Sequence, residues 1–166
     1  MKRVTYILLI IFLLLNSGIQ IFGQKKALIS GGIGFAEMIN IGVKYQVSQQ
    51  SQIGLSIGMW PPSDDWLFNW NSLISISGDF YYHIGGTSEF TEISPWYIRM
   101  GLVYIRVAGE DYIDNNLESH LRFGRDFNFS EDIGISLDAG VAAFLKNETG
   151  FTSVLPVFGT SLFFRF

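Results

Sequence analysis

The sequence predicts an all-β fold: an eight-stranded antiparallel up-and-down transmembrane β-barrel, preceded by an N-terminal signal helix. Three observations predict it. From Lys26 onward, apolar and polar residues alternate with period two in segments of about ten residues, separated by polar or glycine-rich turns. Beyond the N-terminus there is no run of 18 apolar residues, although the chain is 48% hydrophobic with mean hydropathy +0.28, so helices are excluded as spanning elements. The polar side of the segments carries Gly, Ser and charges of both signs, a composition that suits a narrow, filled interior.

Residues 1–23 read as a secretory signal, leaving 24–166 as the barrel domain. Lys2 and Arg3 form the charged region, Tyr6 to Leu15 the apolar core, and Asn16, Ser17 and Gly18 a polar stretch before cleavage near Gly23. Removal of Lys2 and Arg3 takes the formal charge from −4 to about −6. There is no cysteine, which excludes a lipid-modified N-terminal Cys, disulfides, Cys-ligated zinc and Cys nucleophiles.

The segments follow in order. In 26–36, Ala27, Ile29, Ile33 and Phe35 oppose Ser30, Gly32 and Gly34. In 38–48, Ile39, Ile41, Val43, Tyr45 and Val47 alternate with Asn40, Gly42, Lys44, Gln46 and Ser48. Segment 52–60 sets Ile53, Leu55, Ile57 and Met59 against Gly54, Ser56 and Gly58, and 71–84 sets Ile74, Ile76, Phe80, Tyr82 and Ile84 against Ser75, Ser77, Asp79, Tyr81 and His83. In 95–107, Trp96, Ile98, Met100, Leu102 and Tyr104 face away from Tyr97, Arg99, Gly101, Val103 and Ile105. Segment 117–129 opposes Leu117, Leu121, Phe123, Phe127 and Phe129 to Glu118, His120, Arg122, Gly124, Asp126 and Asn128. Segment 133–146 opposes Ile135, Leu137 and Val141 to Ser136, Asp138 and Lys146, and 154–166 is the eighth. An even number closes an antiparallel barrel with both ends on one side of the membrane.

A soluble barrel buries its apolar face and a membrane barrel inverts this, so orientation decides the class. Lys44, Asp79, Arg99, Glu118, His120, Arg122, Asp126, Asp138 and Arg165 all fall on the polar side, where opposite signs can pair in a narrow lumen. With a periplasmic N-terminus, Tyr45, Phe80, Tyr82, Trp96, Phe127, Phe129, Phe164 and Phe166 gather on the apolar face at the periplasmic rim as an aromatic girdle. The outer rim receives Phe35, Tyr104 and Trp60, a weaker set. Arg106 and Arg125 land on the apolar face close to strand ends; snorkelling to headgroups, or a bulge near Gly124, accounts for them.

The final stretch VLPVFGTSLFFRF places Phe166, Phe164 and Leu162 on one side, an aromatic last residue with large apolar residues two and four places before it. It resembles the C-terminal signature of bacterial outer-membrane β-barrels, and residues 26–166 resemble the small outer-membrane barrels of the OmpA and OmpX type. That resemblance implies the outer membrane of a Gram-negative bacterium, recognition by the outer-membrane insertion machinery through the last strand, contact with outer-membrane lipid and lipopolysaccharide, and a monomer.

Outer loops are expected at the 36–38 turn, 61–70, 108–116 and 147–153, and inner turns at 48–51, 85–94 and 130–132. Asp64, Asp65, Trp66, Phe68 and Trp70 in the loop PPSDDWLFNW suit either a contact surface or interfacial anchoring. Glu110, Asp111 and Asp114 read as a solvated acidic loop rather than a calcium loop. The histidines, His83 and His120, lack a His-x-Ser pattern, and the glycines lie in strands rather than in a phosphate cradle. Neither catalysis, cofactor, metal nor nucleic acid is expected. An eight-stranded barrel has a lumen filled by side chains, so the expected role is structural or surface interaction rather than diffusion. The alternatives are a lipid A modifying enzyme and a soluble exported lipocalin-like binding barrel.

Overall fold

The structure, a computed structural model, describes residues 26–35, 37–65, 68–70, 72–109, 112–146 and 154–166. The expected signal segment lies outside the described residues. In chain order the strands are β1 (Ala27–Gly34), β2 (Met38–Gln46), β3 (Ser51–Trp60), β4 (Ser63–Asp65), β5 (Phe68–Trp70), β6 (Ser72–Ile84), β7 (Trp96–Ala108), β8 (Ile113–Asn128), β9 (Ile133–Lys146) and β10 (Val154–Arg165). Eight of them close a barrel in the order β1-β10-β9-β8-β7-β6-β3-β2. Every neighbouring pair is antiparallel, and β4 and β5 pair separately as a small hairpin between β3 and β6. Among the described residues no helix is long and apolar enough to cross a membrane.

The register turns period two into two chemically distinct surfaces. Ile41, Ile57, Ile76, Tyr104 and Leu117 stand in line across five neighbouring strands, and one position along lie Gly42, Ser56, Ser77, Val103 and Glu118. A one-residue slip would exchange the two sets, so the pattern specifies register strongly. The first set faces outward. Leu137 and Val141 are 47% and 48% exposed, whereas Arg122 is 1% exposed inside the barrel. Facing Arg122 to solvent and burying Ile, Leu and Val would suit a soluble barrel; the observed arrangement is the inverse, as expected.

Three expectations are corrected. β8 starts at Ile113, so the expected loop 108–116 is shorter, and loop 61–70 contains the β4–β5 hairpin. No bulge occurs near Gly124: pairing to both neighbours runs through it without a shift, and the irregularity between β8 and β9 lies at Leu117/Glu118. Arg125 therefore stays in register on the outer face.

The chain enters the barrel, leaves it, and makes its 47–50, 85–95 and 129–132 connections at one end, called here the terminal end. All eight expected girdle aromatics lie exposed toward this end, and Phe123 joins them, stacked on Trp96 at 5.2 Å. At the far end Phe35, Trp60 and Tyr104 are exposed as expected, with Tyr112 in addition.

Candidate functional site

The lumen is the site the sequence singled out, and the strands bring all nine of its expected residues to the inside. Each sits at an inward position of β2, β6, β7, β8, β9 or β10, so the pleat alone projects it to the axis. The arrangement is layered. At the far end Leu73, Val103 and Ile105 form a small apolar cluster, packed by Met38 and Val107.

Below it lies an ionic layer. Arg99 grips Asp79 with both arms of its fork, Nε to Oδ1 at 3.0 Å and Nη2 to Oδ2 at 2.9 Å, and Nη1 reaches Asp138 at 3.4 Å. Arg122 donates to Asp138 at 3.1 Å and to Glu37 at 2.8 Å, and Arg99 also donates to Glu37. Forked pairing of this kind combines charge with direction, which fixes the side chains in place. His120 Nε2 lies 2.9 Å from Asp79 Oδ1 but makes no aligned hydrogen bond to it. Ser77 completes Asp79 with a bond of 3.0 Å. Removing one charge from such a layer costs about 3–5 kcal/mol, because its partner is then buried alone.

Toward the terminal end the lumen becomes aromatic and then ionic again. Lys44 places its ammonium 4.4 Å from the centre of the Tyr81 ring, and Tyr81 meets Tyr97 edge-on at 5.5 Å. Tyr97 donates to Asp138 at 3.2 Å. Gly124 makes room for Tyr97, since a Cβ there would run into the phenol ring. Beyond, Arg165 lies over the Phe163 ring at 4.4 Å, donates to Asn128 at 2.7 Å and approaches Asp126 at 3.7 Å, while Ser136 donates to Asp126 at 2.7 Å. The 85–95 connection folds across this end: His83 Nδ1 is 2.7 Å from the Ser94 carbonyl, Ser94 donates to Gly85 O at 2.9 Å, and Asn128 donates to Ser88 at 3.0 Å.

Glu37 is the member of the ionic layer that sequence reasoning missed. It lies in the β1–β2 turn at the far end, yet it is 2% exposed because the turn folds inward. Met38 adopts a left-handed φ of 62° to make that turn, at a cost of order 1 kcal/mol. Ser75 donates to the Glu37 carbonyl at 3.2 Å, and Gly58 faces it: a Cβ at Gly58 would collide with that carbonyl. Glu37 is thus the third carboxylate around the two arginines.

Glu37, Asp79 and His120 offer ligand atoms within 4.8 Å of one another, the spacing of a metal group. Arg99 donates to both carboxylates, so a fixed positive charge already stands where a cation would bind. His120 and its chain neighbour Ser119 are not brought together. His120 faces the lumen, whereas Ser119 occupies an outward position and donates to the Ala143 carbonyl at 3.5 Å. The central cavity, lined by Ser30, Glu37, Lys44, Asp79, Arg99 and Arg122 among others, holds about 30 Å³, space for one or two waters. A larger recess of about 390 Å³ lies under the 85–95 connection, beside Phe90, Glu131 and Arg165.

Trp66, Glu110 and Asp111 lie outside the described residues, as do the side chains of Asp64, Asp65, Phe68 and Trp70. Asp114 accepts a bond from Asn116 at 3.0 Å.

No family model matches the chain, and no curated protein matches it. Among solved structures it is similar to the N-terminal β-barrel domain of Pseudomonas aeruginosa OprF, with a TM-score of 0.52 at 18% identity over 86% of this chain and 99% of that one. It also matches Neisserial surface protein A, with a TM-score of 0.47 at 11% identity over 84% of this chain and 93% of that one. A de novo designed barrel, TMB2.3, matches with a TM-score of 0.42 at 14% identity over 87% of this chain and 96% of that one. The likeness to the OprF domain is one of fold: an eight-stranded closed antiparallel barrel.

Proposed function

We propose that the chain is an outer-membrane barrel of a Gram-negative envelope, exported by a signal peptide cleaved near Gly23 and inserted through its last strand. Its role is structural or in surface interaction, with the strands as anchor and the far-end loops as contact surface. The observation that carries the reading is the inverted packing: every outward strand position is apolar or small except for a few residues near the ends, while Arg99, Arg122, Asp79 and Asp138 are sealed inside. The lumen supports a non-diffusive role, since among the described residues Arg99, Arg122 and their carboxylates leave a central cavity of only about 30 Å³.

Membranes from expressing cells, washed with carbonate and run on a detergent gel with and without boiling, test this reading. A chain that stays in the pellet and migrates faster before boiling supports it; release into the wash with no shift on boiling overturns it. In planar bilayers the reading gives no steady solute conductance.

A further inference from the structure

On the outer surface, the described strand positions carry two charged residues, Arg106 on β7 and Arg125 on β8, both exposed. Neither side chain forms a hydrogen bond or ion pair with another described residue. Arg125 is nevertheless held: its guanidinium lies 4.9 Å from the centre of the Trp96 ring and 4.9 Å from that of Phe127. Trp96 is its register partner on β7, Phe127 lies two positions along its own strand, and Trp96 in turn stacks on Phe123 at 5.2 Å. Two aromatic faces orient the cation but leave its hydrogen-bond donors unused.

The vertical position of the two arginines follows from the register. Trp96, level with Arg125, and Arg106 lie ten positions apart on β7. That is ~33 Å along an extended strand. At the usual barrel tilt of ~40° it projects to ~25 Å, the height of the apolar band of such barrels. Met100 and Leu102 between them are exposed and apolar. The two cations therefore bracket the slab that hydrocarbon would fill, one at each headgroup level.

We infer that Arg125, clamped by Trp96 and Phe127, is a binding site for the phosphate of a phospholipid headgroup in the leaflet at the terminal end. The inference rests on the membrane reading above. A guanidinium offers a planar pair of donors that matches two phosphate oxygens. The apolar surroundings, Phe123 below and Phe127 beside, leave acyl chains as the natural neighbours of whatever carries that phosphate. Arg106 marks the opposite level without an aromatic clamp.

The test uses the chain purified from membranes in a sugar-headgroup detergent, with phosphatidylglycerol titrated in and bound lipids counted by native mass spectrometry. Arg125→Gln should weaken the tightest phosphatidylglycerol site roughly ten-fold or more, and Arg125→Lys, which keeps the charge but loses the planar fork, should restore only part of that loss. Diacylglycerol, which lacks the phosphate, should not occupy the site. Equal binding by Arg125→Gln and wild type, equal binding of diacylglycerol, or full displacement of the lipid by millimolar inorganic phosphate would each overturn the inference. A wild-type chain that folds with the heat-modifiable shift yet shows no such site overturns it while leaving the membrane reading standing; a chain found only in the soluble fraction overturns both.

Discussion

Arg99→Met isolates the energetics of the ionic layer. The arginine satisfies both oxygens of Asp79 at 2.9 and 3.0 Å and contacts Glu37 and Asp138. Methionine fills much of the same volume but supplies no donor. Asp79 then keeps Ser77 at 3.0 Å, and Glu37 and Asp138 keep Arg122, but the four hydrogen bonds that Arg99 donates are lost and the layer is left with one cation fewer. The expected destabilisation is about 3–5 kcal/mol, the cost of a buried charge left without its partner. With a urea slope of roughly 2 kcal/mol/M, the unfolding midpoint in phospholipid vesicles falls by about 1.5–2.5 M. Adding Asp79→Asn removes the orphaned charge, so the double variant should recover about half of the Arg99→Met loss, and the coupling energy is then about 2 kcal/mol plus whatever Asp79→Asn costs alone. A single-variant loss below about 1 kcal/mol, or additivity of the two changes within about 0.5 kcal/mol, would refute the pairing as a source of stability.

Other expectations follow from neighbouring contacts. Gly58→Ala drives a methyl into the Glu37 carbonyl, so the β1–β2 turn must withdraw; a loss of about 1–3 kcal/mol in the same urea measurement is expected. Glu37→Gln keeps the shape but removes a charge shared by Arg99 and Arg122, and should cost about 1.5–3 kcal/mol; an unchanged midpoint would mean that the inturned glutamate is ornamental. Tyr97→Phe deletes the 3.2 Å bond to Asp138 while keeping the ring, and a loss near 1 kcal/mol is expected by comparison of the two midpoints.

Most of the barrel was legible because period two is a local signal that every strand repeats, and because register follows from it once one face is apolar. The nine lumen residues were legible for the same reason: each sits on the inward phase of a strand. Glu37 escaped because it belongs to a turn, where no periodicity says which way a side chain points. Its inward fold depends on the left-handed Met38 and on the space left by Gly58, a residue twenty-one positions away in sequence. The extension of β8 back to Ile113 escaped because Asp114, Asn115 and Asn116 read as turn residues, yet they pair with Val107, Arg106 and Ile105 once β7 is alongside. Arg125 was legible as an outward residue; the clamp by Trp96 was not, because alternation fixes which face each residue takes but leaves open a shift of two residues between β7 and β8, and only the observed pairing sets Trp96 opposite Arg125.

The direction in which the side chains face is tested most directly at Leu102, which is 50% exposed and lies between the levels of Trp96 and Arg106 on β7. Leu102→Arg puts a charge at mid-band, and folding into phospholipid vesicles, followed by urea titration, should lose about 2–4 kcal/mol. An arginine four positions further along, at Arg106, is native and tolerated because it sits at the edge. If the substitution at Leu102 changes stability by less than about 0.5 kcal/mol, as for an ordinary surface position in water, the outer face does not meet hydrocarbon and the account is wrong.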